Sequence, residues 1–142
     1  MMPPMCTYST INGLANNFHL VHYGSRAIGG AGIVMIEATA IEKIGRISIG
    51  DLELFNNKHK NALSKIAKFI EEYGSIPGIE ISHSGRKGRT YILWRGSGKM
   101  DKGDDCWCTI APLPLPFVET WPRPKEVSIE MIRNLGKKFA FL

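Results

Sequence analysis

One short apolar run, Ile33-Val34-Met35-Ile36, constrains the fold of this chain more than any other feature. It is rich in β-branched residues and bounded by Gly32 before it and Glu37 after it. A continuous apolar run of this length is typical of a strand buried on both faces, as in a parallel sheet. Parallel strands need long crossover connections, which are usually helices. The run therefore predicts an α/β protein.

The flanking segments predict the helices and strands that such a sheet requires. Helical periodicity appears over 18–29, 58–73 and a stretch that follows Ser128, and strands are expected at 32–40 and 76–84. This β/α alternation amounts to about three units, whereas a closed (β/α)8 barrel needs roughly 250 residues. The chain has 142 residues. We therefore expect the N-terminal portion of a (β/α)8 TIM barrel, with residues 1–142 forming a partial domain that is incomplete at both ends. The alternative is a small doubly wound domain, which would need a longer first strand.

Composition limits the classes of function. The net charge is +5, but the cations are spread along the chain, so we expect no nucleic-acid partner. No apolar run is long enough for a membrane helix, and the first residues do not follow the order of a signal peptide, which favours the cytoplasm. The three cysteines do not suggest a disulfide framework.

The remaining metal-ligand candidates are weak. His19 and His22 lie three residues apart on the first predicted helix without a third ligand nearby, which favours packing roles. Cys106 and Cys108 lie in a long stretch, 85–127, where little regular structure is expected, and we interpret them as free thiols. The sequence therefore predicts no metal site.

The segment Pro3-Pro4-Met5-Cys6-Thr7-Tyr8 has the character of a strand end that leads into a functional loop. Prolines suit the end of a strand rather than its middle. Residues at positions i and i+2 of an extended segment point the same way, so Cys6 and Tyr8 are expected to face one ligand. The alternative is a frayed terminus with a chance cysteine.

Three downstream residues are candidates for the same site. Glu37 ends the apolar strand, and we expect it to pair with a nearby cation at the barrel rim. The small side chain of Ala38 would let a flat ligand lie against the backbone. Glu80 is a polar residue within the second predicted strand, and such a group is costly there unless it has a partner, so it is a candidate ligand contact.

Five motifs in register resemble the Old Yellow Enzyme type of flavin oxidoreductase, in the branch with a cysteine in its first strand motif. They are Pro4-Met5-Cys6-Thr7-Tyr8-Ser9, His22-Tyr23-Gly24-Ser25-Arg26-Ala27, Glu37-Ala38-Thr39-Ala40, Gly45-Arg46 and Glu80-Ile81-Ser82-His83-Ser84-Gly85-Arg86-Lys87. The resemblance runs over nearly all of this chain and less than half of the family's barrel.

The resemblance implies a cofactor, a reaction and roles for particular residues. FMN would lie at the C-terminal mouth of a TIM barrel, and NAD(P)H would deliver a hydride through flavin N5 to an activated C=C bond, such as that of an α,β-unsaturated carbonyl. Pro3, Pro4, Met5 and Cys6 would lie along the flavin, with Cys6 near its reactive edge. Tyr8 would point its hydroxyl toward the substrate. Ala38 and Glu80 would contact the ring system.

The sequence departs from the family pattern at Glu80, where the family commonly has glutamine. A carboxylate only accepts hydrogen bonds, and its charge opposes the negative charge that reduced flavin gathers near N1. The family's later substrate and phosphate sites have no counterpart in this sequence, so the isolated chain is expected to be inactive and to bind FMN weakly. A non-catalytic remnant, a homo-oligomer and a half-barrel that needs a complementing C-terminal partner chain stay open as alternatives.

Overall fold

The architecture is a parallel sheet with two helices packed on one side of it. The structure is a computed structural model and describes residues 1–96, 98–101, 103 and 106–140. The elements are α1 (Asn17–Ile28), β1 (Ile33–Ala40), β2 (Leu52–Glu53), α2 (Asn57–Glu72), β3 (Ile76–Ser82), β4 (Ile110–Ala111), β5 (Lys125–Glu126) and α3 (Ile129–Ala140). Short 3-10 turns occur at Lys43–Gly45, Gly85–Lys87 and Leu93–Arg95.

The central sheet is parallel, as the apolar run predicts. Its strand order is β2-β1-β3, and β1 pairs with both neighbours in the parallel sense. The N-terminal segment also enters this sheet, because the Met2 amide donates to the Ile33 carbonyl at 2.8 Å and the Met35 amide donates to the Met2 carbonyl at 3.1 Å. The α/β class is confirmed, and the carboxyl ends of three parallel segments meet at one edge.

The two long helices begin at side-chain caps and bury one face each. Asn16 caps α1 by accepting from the Phe18 amide, and Asn56 caps α2 by accepting from the His59 amide. The apolar faces of both helices join the strands in one core. That core consists of Met2, Tyr23, Ala27, Val34, Ile36, Leu52, Leu63, Ile66 and Ile70. Full burial of a side chain such as Ile70 contributes about 1.5–3 kcal/mol.

Three details of the strands differ from expectation. The segment 41–57 contains β2, a strand of two residues that is too short for any periodicity to reveal. The stretch 85–127 contains the parallel pair β4 and β5, and residues 97, 102, 104 and 105 of that stretch lie outside the described part of the chain. β3 is half-buried rather than buried, because it is an end strand of the sheet.

None of the described helices is long and apolar enough to cross a membrane.

Candidate active site

The segment that carries Cys6 and Tyr8 forms no strand, and its expected extended path is interrupted at Tyr8; we call this irregular segment the Tyr8 turn. Tyr8 has a φ of 51°, in the left-handed region that non-glycine residues rarely adopt. The segment is fixed beyond the turn, where the Thr10 amide donates to the Gly50 carbonyl at 3.2 Å. A Cβ atom on Gly50 would lie 2.5 Å from the Tyr8 carbonyl oxygen. Gly50 therefore allows this close approach of two backbones.

The Cys6 thiol lies against β1, on the side where several acidic groups converge. The Ala38 amide lies close to the sulfur and favours its thiolate form. Burial raises the pKa of Cys6 to about 11, and the negative charges of Asp51, Glu37 and Glu80 contribute to this rise. The side chain is therefore a neutral thiol at neutral pH.

The Tyr8 hydroxyl lies beside the Cys6 thiol, so the turn does bring the two predicted catalytic side chains together. Burial raises the pKa of Tyr8 to about 12, and the neighbouring Cys6, Asp51 and Glu37 contribute to this rise. Tyr8 is consequently a phenol that keeps its proton and can donate it in a hydrogen bond. Whether Cys6 and Tyr8 act in catalysis stays a prediction.

Glu37 does not pair with a cation, and the expectation that it would is wrong for the described residues. It is 1% exposed and accepts from Thr7 and Tyr23 instead. The Thr7 amide and hydroxyl donate to Oε1 at 3.0 and 3.1 Å, and the Tyr23 hydroxyl donates to Oε2 at 2.6 Å. Three donors satisfy a buried carboxylate without a counter-ion.

The remaining predicted residues differ in exposure, and Ala38 on β1 is buried. Pro3 and Met5 are exposed, and Pro4 is half-buried. Glu80 is exposed, whereas its neighbour Ile79 faces α2, so alternation along β3 directs Glu80 to the opposite side, where its charge reaches Cys6.

The group that the resemblance implies fits this arrangement in part. A flavin ring system needs a flat apolar wall and polar partners at its pyrimidine edge. The exposed Pro3 and Met5, with the half-buried Pro4 between them, offer the wall, and the carboxylate of Glu80 can accept from the ring N3–H. The same carboxylate offers no donor to N1 or O2. The residues therefore fit oxidised flavin better than its reduced anion.

A buried ionic cluster supports the loop beside the Tyr8 turn, and no local sequence pattern reveals it. Arg46 Nη1 lies 3.1 Å from Glu53 Oε1, and His59 Nε2 lies 3.5 Å from Glu53 Oε2. The Arg46 guanidinium also lies over the Trp107 ring, 4.9 Å from its centroid. The Gly45-Arg46 motif belongs to the family resemblance, but its spacing from Glu53 does not indicate that Arg46 and Glu53 form an ion pair.

A second acidic residue in that loop orders its backbone. Asp51 accepts from the Ile47 amide at 2.6 Å, and from the Ser48 amide and hydroxyl at 3.2 and 2.8 Å. Burial nevertheless raises the pKa of Asp51 to about 6. Asp51 thus holds residues 47–51 in a fixed turn, in which Gly50 lies against the Tyr8 carbonyl.

The histidines and thiols elsewhere in the chain form no comparable site. His19 is fully buried and its Nδ1 completes the cap of α1 by accepting from the Asn16 amide, which confirms a packing role. Cys6, Cys106 and Cys108 are free thiols. No group of three or more potential metal ligands occurs among the described residues.

Comparison with known proteins decides the family. The sequence profile of the NADH:flavin oxidoreductase / NADH oxidase family matches residues 1–140. The chain belongs to this family. Among its relatives, the NADPH dehydrogenase of Clostridium acetobutylicum is 41% identical over 136 residues, which are 95% of this chain and 36% of that protein. The NADPH dehydrogenase of Listeria monocytogenes serotype 4a is 38% identical over 98% of this chain and 37% of its own length.

Solved structures of similar proteins share the fold. Old Yellow Enzyme from Pichia sp. AKU4542 superposes with a TM-score of 0.81 at 19% identity, over 97% of this chain and 36% of that chain. Morphinone reductase superposes with a TM-score of 0.78 at 18% identity, over 97% and 38% of the two chains. The chain thus spans little more than a third of the family members it matches, which agrees with the predicted portion of a TIM barrel.

Proposed function

We propose that this chain forms the N-terminal part of an FMN-dependent NAD(P)H oxidoreductase that reduces activated C=C bonds. One observation carries the proposal. The first segment, β1 and β3 bring Cys6 next to Tyr8, close to the backbone of Ala38 and within reach of the charge of Glu80, in a chain that belongs to a flavin oxidoreductase family. The substrate class is a small molecule such as an α,β-unsaturated carbonyl.

Bound FMN would supply the hydride transfer between NAD(P)H and the alkene. Pro3, Pro4, Met5 and the backbone at Ala38 would form the wall on which its ring lies, and Glu80 would accept at the pyrimidine edge. The chain's own catalytic contribution is a pair of neutral donors, the Cys6 thiol and the Tyr8 hydroxyl.

The neutrality of both groups suits this chemistry. A thiolate at position 6 would oppose the negative charge that a reduced flavin carries, whereas a thiol does not. The Tyr8 hydroxyl is protonated at neutral pH, as an ordinary phenol is, and burial raises its pKa further, to about 12. It can therefore donate a hydrogen bond to the carbonyl oxygen of an unsaturated substrate, where charge develops during reduction.

A chimera tests the activity in a complete barrel. Residues 1–140 of this chain would replace the matched segment of the Clostridium acetobutylicum NADPH dehydrogenase. We expect the purified chimera to consume NADPH under anaerobic conditions in the presence of a cyclic enone, with the saturated ketone as product. A flavin-loaded chimera that oxidises NADPH with oxygen and leaves the enone unreduced would overturn the assigned substrate class.

Substitution of Tyr8 by phenylalanine is expected to slow enone reduction in this chimera by roughly tenfold, the kinetic equivalent of one lost hydrogen bond of about 1.4 kcal/mol. Flavin content and the anaerobic rate of flavin reduction by NADPH should stay unchanged, because the hydroxyl is assigned to the substrate. Tyr91, which is more exposed and lies in the later loop, provides the matched Tyr→Phe control. An equal loss in both half-reactions would contradict this role.

Substitution of Cys6 by alanine is expected to shift the flavin reduction potential of the chimera by on the order of 30 mV, while FMN remains bound. The reason is that the thiol is a polarisable neighbour of the ring rather than a tether. Spectroelectrochemical titration measures the potential, and Cys108→Ala is the matched control at an exposed thiol. Loss of flavin from the Cys6 variant would instead identify Cys6 as a binding residue.

The compartment and the domain boundaries belong to the same proposal. Three free thiols suit a reducing compartment, so we place the protein in the cytoplasm. Residues 1–142 are assigned to one partial barrel domain.

A half-barrel that works by association is the second candidate. Ile81 on β3 is 38% exposed, and a groove of about 530 Å³ lies between the end of β3 and α3. Its apolar lining includes Phe117, Ile132 and Leu135. Such surfaces suit a complementing C-terminal half-barrel or a second copy. Light scattering tests this candidate on the isolated chain alone and on its mixture with the C-terminal part of the Clostridium acetobutylicum protein. A chain that stays monomeric in both samples would exclude it.

A further inference from the structure

We propose that Glu37 is a positioning residue that holds Cys6 and Tyr8 in place by accepting the two hydrogen bonds that Thr7 donates, from its amide and from its hydroxyl. Thr7 is the residue between the two candidate catalytic side chains, and it lies 30 positions from Glu37 in sequence. The inference rests on the proposed function for the meaning of Cys6 and Tyr8, but the contacts that carry it are those of the chain itself.

The contact with Thr7 fixes the turn at its centre. Both donors of Thr7, the amide and the hydroxyl, reach the same oxygen of Glu37, at 3.0 and 3.1 Å. The next residue, Tyr8, holds a φ of 51°, which an L-residue adopts only when its surroundings require it. The hydrogen bonds of Thr7 to Glu37 help to hold Tyr8 in this conformation, because they fix the backbone immediately before Tyr8.

Glu37 is in turn held by the core. Tyr23 is fully buried on α1, and its hydroxyl donates to Oε2 at 2.6 Å while accepting from the Glu37 amide at 3.0 Å. Burial raises the pKa of Tyr23, so its hydroxyl remains a donor. This reciprocal pair leaves the carboxylate one orientation, with Oε1 directed at Thr7.

The following peptide completes the arrangement. The Ala38 amide lies close to the Cys6 sulfur, so two consecutive residues of β1 face two consecutive residues of the first segment. A local hydrogen bond adds to this arrangement, because the Ser9 hydroxyl donates to the Thr7 carbonyl at 2.8 Å. The bonds from Thr7 to Glu37 are therefore the long-range attachment of this segment to β1.

Thiol chemistry and hydrogen exchange test this role without flavin. The 142-residue chain would carry Cys106→Ser and Cys108→Ser, which leaves Cys6 as its one thiol. The iodoacetamide alkylation rate of Cys6 is measured from pH 7 to 10, and the exchange of the Thr7 amide is followed by NMR. Cys6 also faces Asp51, Glu80 and Tyr8, so each variant is compared over the whole pH range rather than at one pH.

Two substitutions of Glu37 separate its hydrogen bonds from its charge. Glu37→Leu removes the acceptor, and we expect the Thr7 amide to lose its protection and Cys6 to react roughly tenfold faster at pH 8. Glu37→Gln keeps an acceptor for Thr7 and a donor for Tyr23. We expect it to leave Thr7 protected and to move the alkylation profile to lower pH by roughly half a unit, about threefold in rate at fixed pH.

Two further variants keep the test decisive if Glu37→Leu does not fold. Tyr23→Phe removes the partner that orients Oε2, and it should partly deprotect Thr7. Glu42→Gln is the matched control, because Glu42 follows the same strand but contacts His83 and Lys138 instead. Two results would overturn the inference. One is a Thr7 amide that exchanges freely in the parent chain. The other is that Glu37→Gln and Tyr23→Phe give the same alkylation profile as the control Glu42→Gln. A colourless chimera would count against the proposed function alone.

Discussion

Replacement of Glu53 by alanine is expected to cost the chain about 3–5 kcal/mol of its free energy of unfolding. The Glu53 carboxylate is nearly buried and binds Arg46 at 3.1 Å and His59 at 3.5 Å. Its removal leaves the buried Arg46 guanidinium with the Lys43 carbonyl and the Trp107 ring as its partners among the described residues. An uncompensated buried charge is the expensive outcome, and urea unfolding followed by far-UV circular dichroism measures it.

A double-mutant cycle isolates the ion pair from other effects of this substitution. If the cost arises from the uncompensated charge, Arg46→Met combined with Glu53→Leu should recover most of the stability that Glu53→Leu alone loses. Glu72, which is exposed near the end of α2, provides the Glu→Ala control, with an expected change below about 0.5 kcal/mol. Additive losses for Arg46 and Glu53 would show that the cluster does not act as a unit.

Replacement of Gly50 by alanine is expected to reduce enone reduction in the chimera by on the order of 100-fold, since displacement of a catalytic group by about 1 Å has this effect. The added methyl group would lie 2.5 Å from the carbonyl oxygen and 2.9 Å from the carbonyl carbon of Tyr8. Both are backbone atoms that cannot rotate away, so the Tyr8 turn must shift. The stability cost is expected at about 1–3 kcal/mol, typical of overpacking.

Gly136→Ala is the matched control for Gly50→Ala. Nothing lies within 4 Å of a Cβ atom at position 136, which is on the exposed helix α3. This substitution should stabilise the chain by roughly 0.5–1 kcal/mol through helix propensity and leave the turnover of the chimera unchanged. Full activity in Gly50→Ala would contradict the placement of Tyr8 against this loop.

Those parts of the fold that depend on local sequence were predictable. The Ile33–Ile36 run indicates a buried parallel strand because all of its information lies in four adjacent residues. The helical periodicity over 18–29 and 58–73 is also local, and the structure has α1 and α2 there, each beginning at an asparagine cap.

The internal order of the site was not predictable, because its contacts join distant residues. Thr7 and Glu37 are 30 positions apart, and nothing local marks threonine as the partner of that carboxylate. A cation was the reasonable expectation for a buried glutamate, but three hydroxyl and amide donors take its place. The left-handed conformation of Tyr8 is likewise imposed by its surroundings and has no signature in the residue type.

The central claim is that the first segment, β1 and β3 form one wall of a flavin site, and the visible absorption spectrum of the desalted chimera tests it most directly. The account predicts a flavin band at ~450 nm with about one FMN per chain. It also predicts that Ala38→Trp removes the band from a chimera that still folds, because the indole would occupy the surface on which the flavin ring lies. A folded, monodisperse chimera without a flavin band, or flavin content that is unaffected by Ala38→Trp, would contradict it.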